Sequence, residues 1–360
     1  MAEPDTHPPK FTTYLDQNQS LLFSILPPEI RREIFAYALA AFEDTSRPYS
    51  KDTYWTRPGY GAPYRTYTEL LRTCKQVYQE AWFMPFTYTE HSFYLTQQDR
   101  APGQLSLTAF QKCLDLIHQT HGKIKAGRIR IFAQLWALED GHRMKELLDM
   151  KHFYPKIITL TIRYTDFWWW EDNQPLYIDA RWVDRIYLPE SVTRFSMDFE
   201  SIERRRGEVN YIANEAAEKW FFRRKDGKFL TADKADMFVS RWTGSSILNG
   251  QRWLRDEVRP GQLDYDVVTV VWRVSPGLAE APLPMPCPKV AIPRDFQRPA
   301  PSFTLGASVT VLQLQRANIA LDTPAEETWA ALEAHQRVMQ EAARERRRRR
   351  RAPRARPIED

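Results

Sequence analysis

The chain has 360 residues with 51 basic and 46 acidic side chains, but the surplus is local. Nine arginines face three acids between Arg344 and Asp360, while the rest sets 42 bases against 43 acids. The pI of about 9.0 therefore does not imply a body-wide nucleic-acid surface. No apolar run approaches a bilayer span and Met1–Lys10 lacks a signal-peptide core. Cys74, Cys113 and Cys287 are too scattered for a disulfide framework, so a soluble intracellular protein is expected.

Residues 1–20 are polar, carry Pro4, Pro8 and Pro9, and are expected to be disordered. The segment 21–95 opens with a helix from Pro28, since proline suits the first helical position. Ile30, Ile34, Tyr37 and Ala38 recur at spacings of three and four, which predicts a buried face with Arg31, Arg32 and Glu33 opposite. Residues 42–68 shift to Pro, Gly, Tyr and charge and read as an inserted loop. A second helix over 69–84 carries Leu70, Cys74, Val77 and Ala81 on one stripe, with Leu71, Tyr78 and Trp82 beside it. Pro85 is expected to stop it, and Cys74 to be a small core residue.

The body, 96–275, alternates strand-like and helix-like stretches after a first strand at His91–Leu95. The spacing predicts helices over Leu105–Gln119, Leu138–Met150 and Glu208–Phe222. Strands are predicted over Arg128–Ala133, Ile157–Tyr164, Val192–Phe199 and the β-branched run Asp266–Val274; Ile158, Leu160 and Ile162 alternate strictly. The fold class is therefore α+β, a mixed sheet backed by helices. Residues 276–303 are proline-rich and read as a linker. The segment 304–343 predicts a strand over Ser308–Gln315 and a helix from the capping box Thr323-Pro-Ala-Glu326, carrying Trp329, Leu332 and Met339. Residues 344–360 form a basic tail, expected to be disordered.

Chemistry-bearing motifs are scarce. Neither a nucleophile motif, a glycine-rich phosphate loop nor a dinucleotide fingerprint occurs, so no catalytic residue and no cofactor is expected. Trp168, Trp169 and Trp170, flanked by Phe167, Glu171 and Asp172, could form a ligand or interface patch, or pack into the core beside a turn at Asn173. His118 and His121 share a helix face but lack the further ligands a zinc site needs. Trp242–Ser246 with Asn249-Gly250 is a turn-rich stretch able to offer N–H groups to an anion, without phosphate-loop spacing. Arg346, Arg347, Arg348, Arg349, Arg350 and Arg351 fit a nuclear-import signal or a nonspecific nucleic-acid contact.

Two phrases carry a resemblance: Leu26-Pro-Pro-Glu-Ile-Arg-Arg-Glu-Ile34, and Leu70-Leu-Arg-Thr-Cys-Lys-Gln-Val-Tyr-Gln-Glu-Ala-Trp82. Together they resemble the F-box-like segment of a large group of fungal proteins, mostly of unknown function, over residues 21–95. Leu160–Trp169 in the body has the flavour of the same group. The resemblance implies a helical unit that docks the Skp1 linker of a cullin ubiquitin ligase. Its docking edge would be Leu26, Pro27, Ile30, Ile34 and Leu39, with Val77 and Trp82 nearby. The insertion of about 27 residues at 42–68 departs from the short connection of an F-box. The other reading is that both helices plug into the core of the larger domain.

The expected function is a non-enzymatic interaction module, a substrate adaptor with a Skp1-like partner. The alternatives are a nuclear nucleic-acid-associated protein acting through its arginine tail, and an enzyme with a site near Trp168–Trp170. The nucleus is favoured over the cytoplasm, no membrane partner is expected, and the oligomeric state is open.

Overall fold

A computed structural model describes residues 15–103, 106–275, 289–296 and 307–351. The disorder expected for 1–14, most of the proline-rich linker and residues 352–360 of the tail lie outside these. Two compact units divide the chain: Met1–Trp242 with Tyr265–Pro299, and Thr243–Asp264 with Ala300–Asp360. Among the described residues, no helix is long and apolar enough to cross a membrane.

The first unit is mixed α/β, built on a nine-stranded sheet. Its strands are β1 (Glu90–Leu95), β2 (Ala126–Ala133), β3 (Pro155–Ile162), β4 (Tyr187–Leu188), β5 (Arg194–Ile202), β6 (Phe222–Arg224), β7 (Phe229–Ala232), β8 (Phe238–Ser245) and β9 (Gln262–Val274). Strands β1, β2, β3 and β5 run parallel, and β9 joins β5 antiparallel from Tyr265↔Ile202 to Arg273↔Arg194. The order continues β9-β7-β6-β4, with β8 also on β9. After a single turn at Leu21–Ser24, the helices are α1 (Pro28–Ala38), α2 (Lys75–Ala81), α3 (Met84–Tyr88), α4 (Leu107–His121), α5 (Leu135–Glu139), α6 (His142–Leu148) and α7 (Arg206–Lys219).

Alternation decides which side of the sheet carries the helices. Ile129 and Ile131, Ile158 and Leu160, Phe195 and Met197, and Val268 and Val270 fill one face, and α4 to α7 pack Phe110, Leu138, Leu147 and Ile212 against them. The helix predicted over 138–150 is two, α5 and α6, because Gly141 adopts φ +75 between them.

The front helices differ most from expectation. Phe35 of α1 and Leu39 just after it pack with Val77, Ala81 and Met84 in a small core of their own. Arg31, expected outside, is buried, while Ile30, Ile34 and Tyr37 are exposed. The rotation has a clear cause. Arg31 donates Nε and Nη2 to Glu80 at 2.9 and 2.8 Å and Nη1 to the Leu26 carbonyl at 2.7 Å. This bidentate anchor and the Phe35 ring outweigh two isoleucines for the inner side. The helix predicted over 69–84 is also broken: a 3-10 turn, Glu69–Arg72, precedes an extended Cys74 whose Sγ caps Val77 N. Pro85 lies in the first turn of α3 rather than ending α2.

In the second unit, Ile247–Leu248 and Gln251–Arg252 form a hairpin joined by Val309–Thr310. Asn249 and Gly250 both take positive φ and make its turn, so this stretch is a hairpin rather than an anion loop. The strand expected over 308–315 gives way after Thr310 to a helix, α8 (Val311–Arg316), through the reciprocal Thr310–Gln313 capping box. Helix α9 (Ala325–Arg351) carries the arginine run in its last turns, so helix reaches further into the tail than the sequence suggests.

Candidate functional site

The other face of the large sheet is where the sequence was least legible. Thr159 and Thr161 of β3, Ser196, Asp198 and Glu200 of β5, and Thr269 of β9 alternate with the apolar core residues, which ordinarily marks a wetted face. All six are buried. Thr161 sits opposite Asp198, and Asp198 opposite Thr269. Both threonine hydroxyls donate to the Asp198 carboxylate, at 3.0 and 2.7 Å, and Arg130 of β2 pairs with it. Burial works against the Arg130 charge, but Asp198, Tyr60 and Glu90 outweigh it and hold the guanidinium above its usual pKa.

The cover is the inserted segment 42–68. Arg57 pairs with Glu200, which also accepts from Trp242 Nε1 at 3.0 Å. The Tyr60 hydroxyl donates to Glu90, and its ring meets Phe132 edge-on at 5.1 Å. At the carboxyl end of β3, Arg163 makes a bidentate pair with Asp166, at 2.6 and 3.0 Å, and gives Nη1 to the Tyr54 and Arg100 carbonyls, both at 3.1 Å. Arg100 lies 3.8 Å over the Tyr54 ring. The loop is thus stitched to the sheet by the Arg57–Glu200 ion pair, the Tyr60–Glu90 hydrogen bond and the bond from Arg163 to the Tyr54 carbonyl.

Burial raises the Glu200 pKa despite Arg57 and Trp242, and raises that of Tyr60. It pushes Tyr94, on β1, up to about 12. The unfolded phenol ionises near 10.0. The stability gained by keeping Tyr94 neutral is therefore whole below that pH and is lost as pH rises toward the native value. Unfolding free energy is expected to fall by about 1.4 kcal/mol per pH unit from this ring over that window. Urea titrations of Tyr94→Phe should show a slope shallower by that amount, and equal slopes would refute the assignment.

The residues singled out from sequence do not converge. Trp168 is half-buried and donates Nε1 to Glu139 at 2.9 Å. Trp169 is exposed at φ 54, and Trp170 is buried edge-on against Tyr54 and Tyr164. His118 stacks on His152 at 3.6 Å. His121 stacks on Trp82 at 3.7 Å, with Nε2 3.2 Å from the Tyr78 hydroxyl. Among the proposed docking residues, Ile30, Ile34 and Pro27 are exposed and Leu26 and Trp82 half-buried, while Leu39 and Val77 are buried and unavailable to a partner. Arg346 and Arg347 are exposed on α9, and the backbone stays helical through Arg351. No family model, no curated protein and no solved structure matches the chain.

Proposed function

We propose that the chain is a non-enzymatic protein-interaction module whose helix α1 docks a partner, in the manner of a substrate adaptor that engages a Skp1-like subunit of a cullin ubiquitin ligase. One observation carries the reading: Ile30, Ile34 and Tyr37 are 47, 41 and 81 % exposed on one side of a helix anchored from the other. Leu21 and Ile25 are exposed just before it. An apolar stripe at helical spacing is the usual form of a helix laid into a partner's groove.

The small core of Phe35, Leu39, Val77, Ala81 and Met84 supports the reading, because it holds the helices together without consuming the stripe. So does the course of residues 42–68, whose Arg57 and Tyr60 reach the polar face of the sheet. The tryptophans at 168–170 offer no comparable stripe, since Trp168 and Trp169 meet at 6.4 Å while Trp170 is buried against Tyr54 and Tyr164.

The test is capture of purified Skp1 by the intact protein and by Ile30→Asp/Ile34→Asp. Central apolar anchors contribute about 2 kcal/mol or more each, about 30-fold apiece, so the double variant should bind on the order of a thousandfold more weakly, with an unchanged melting temperature. Absence of wild-type binding, or binding that both substitutions leave intact, would reject the adaptor role.

A further inference from the structure

The amino ends of β2, β3 and β5 open on a cavity of about 670 Å³. Its cationic lining is Arg32 from α1, Lys125 and Arg128 at β2, and Lys156 at β3, and no carboxylate lines it. Among the described residues, none of the four has an ion-pair partner. Arg32 is instead aimed by the Tyr88 hydroxyl, which accepts its Nη2 at 3.0 Å. Thr87, Ser191 and Thr193 also line it, the Ser191 and Thr193 hydroxyls donating to the Pro155 and Lys156 carbonyls at 2.8 and 3.3 Å, and Phe83, Tyr88 and Ile157 supply apolar walls.

Like charges gathered without counter-ions repel, and the cost extends into the sheet. Arg128, Ile157, Arg194 and Arg273 stand in one register row across β2, β3, β5 and β9, and of the three arginines Arg273 pairs with Asp236 at 3.1 Å. Arg194 Nε is buried without an acceptor, and burial, with Arg273 and Arg128 nearby, lowers that guanidinium's pKa. A bound anion would offset this repulsion, and a partly walled cleft strengthens the field it would experience. The volume falls in the range of small-ligand sites.

We propose that this cavity binds a phosphate monoester carried on an apolar or aromatic body, the phosphate held by Lys125, Lys156, Arg128 and Arg32 and the body lying against Phe83, Tyr88 and Ile157. A second hollow of about 450 Å³ shares Lys125 and Ser191 with it, which gives a chain attached to the ester a path onward. The inference is independent of α1 docking, since Arg32 and the Ile30–Ile34 stripe make separate contributions.

The test is calorimetric titration of the full chain with phenyl phosphate, inorganic phosphate, phenol and a five-residue phosphotyrosyl peptide. Phenyl phosphate should bind more tightly than inorganic phosphate, phenol should not bind measurably, and affinity should fall steeply with salt because the lysines are exposed. Loss of one charge-assisted contact should weaken binding about tenfold, and Lys125→Gln/Lys156→Gln about a hundredfold. The exposed Lys145→Gln should change nothing. A peptide tighter than phenyl phosphate makes phosphorylated protein the source of the ester, and equal affinities make a free small ester the source; both uphold the site. Phenol binding as well as phenyl phosphate, or a double variant that binds normally, would overturn it. So would single-stranded DNA held through the same lysines tenfold more tightly than either ester.

Discussion

Asp166→Ala is expected to remove about 3–5 kcal/mol of stability, a large fraction of what an ordinary domain possesses. The side chains of Arg163 and Asp166 are 3 and 0 % exposed, so deleting the carboxylate strands a guanidinium where water cannot replace its partner. The loss should not stay local. Arg163 uses its remaining N–H groups on the Tyr54 and Arg100 carbonyls, and its orientation depends on the two bonds to Asp166. Freed from them, the 42–68 cover should loosen, exposing Glu200 and Asp198. Urea unfolding followed by tryptophan fluorescence gives the stability, and limited proteolysis should show new cleavage within 42–68. Replacing both partners by apolar residues, Arg163→Met with Asp166→Leu, should recover much of the loss, because a buried pair costs desolvation as well as supplying attraction. The proteolytic sensitivity should persist in that variant, since methionine cannot donate to Tyr54. A loss below about 1 kcal/mol for Asp166→Ala, the range of a surface pair, would show that this pair does not hold the cover.

What the sequence revealed and what it concealed separate along physical lines. Strict alternation in β3 and the β-branched run of β9 were legible, because a strand's two faces are written into neighbouring residues. The helix of α1 was legible too, but not its orientation. Ile30, Ile34 and Tyr37 form the better apolar stripe, and only the partnership of Arg31 with Glu80, 49 residues away, turns that stripe outward. The buried polar face fails for a related reason. Thr159, Thr161, Asp198 and Glu200 look like a solvated face until Arg57, 143 residues before Glu200, brings a loop across them. At Thr310 the helix signal lies in the sequence itself: Thr-x-x-Gln is a capping box, and it ends the strand after two residues. Arg32, Lys125 and Lys156 have no motif in common, and parallel strand pairing alone places Lys125 and Lys156 at adjacent strand starts.

Gly127 joins the front helices to the sheet, and its replacement should reveal how tightly. A Cβ built there would lie 1.8 Å from the Thr87 carbonyl oxygen and 2.8 Å from its carbon. No rotamer change relieves that overlap, because both partners are backbone. Gly127→Ala should therefore push α3 away from β2, disturbing Met84 in the small front core and Phe86 against the main one. Overpacking of this kind costs about 1–3 kcal/mol and more when backbone must move, so a loss near 3 kcal/mol is expected. The sign makes the test sharp. Glycine in a strand interior is ordinarily a liability, and alanine at an unstrained site ordinarily stabilises by about 0.4–1 kcal/mol through the unfolded chain. A neutral or stabilising Gly127→Ala would mean that Thr87 does not sit against β2. The same shift should move Phe83 and Tyr88, one wall of the basic cavity, away from Lys125 and Lys156 on the other. Phenyl phosphate affinity should then fall although no charged residue has changed, which separates the shape of the site from its charge.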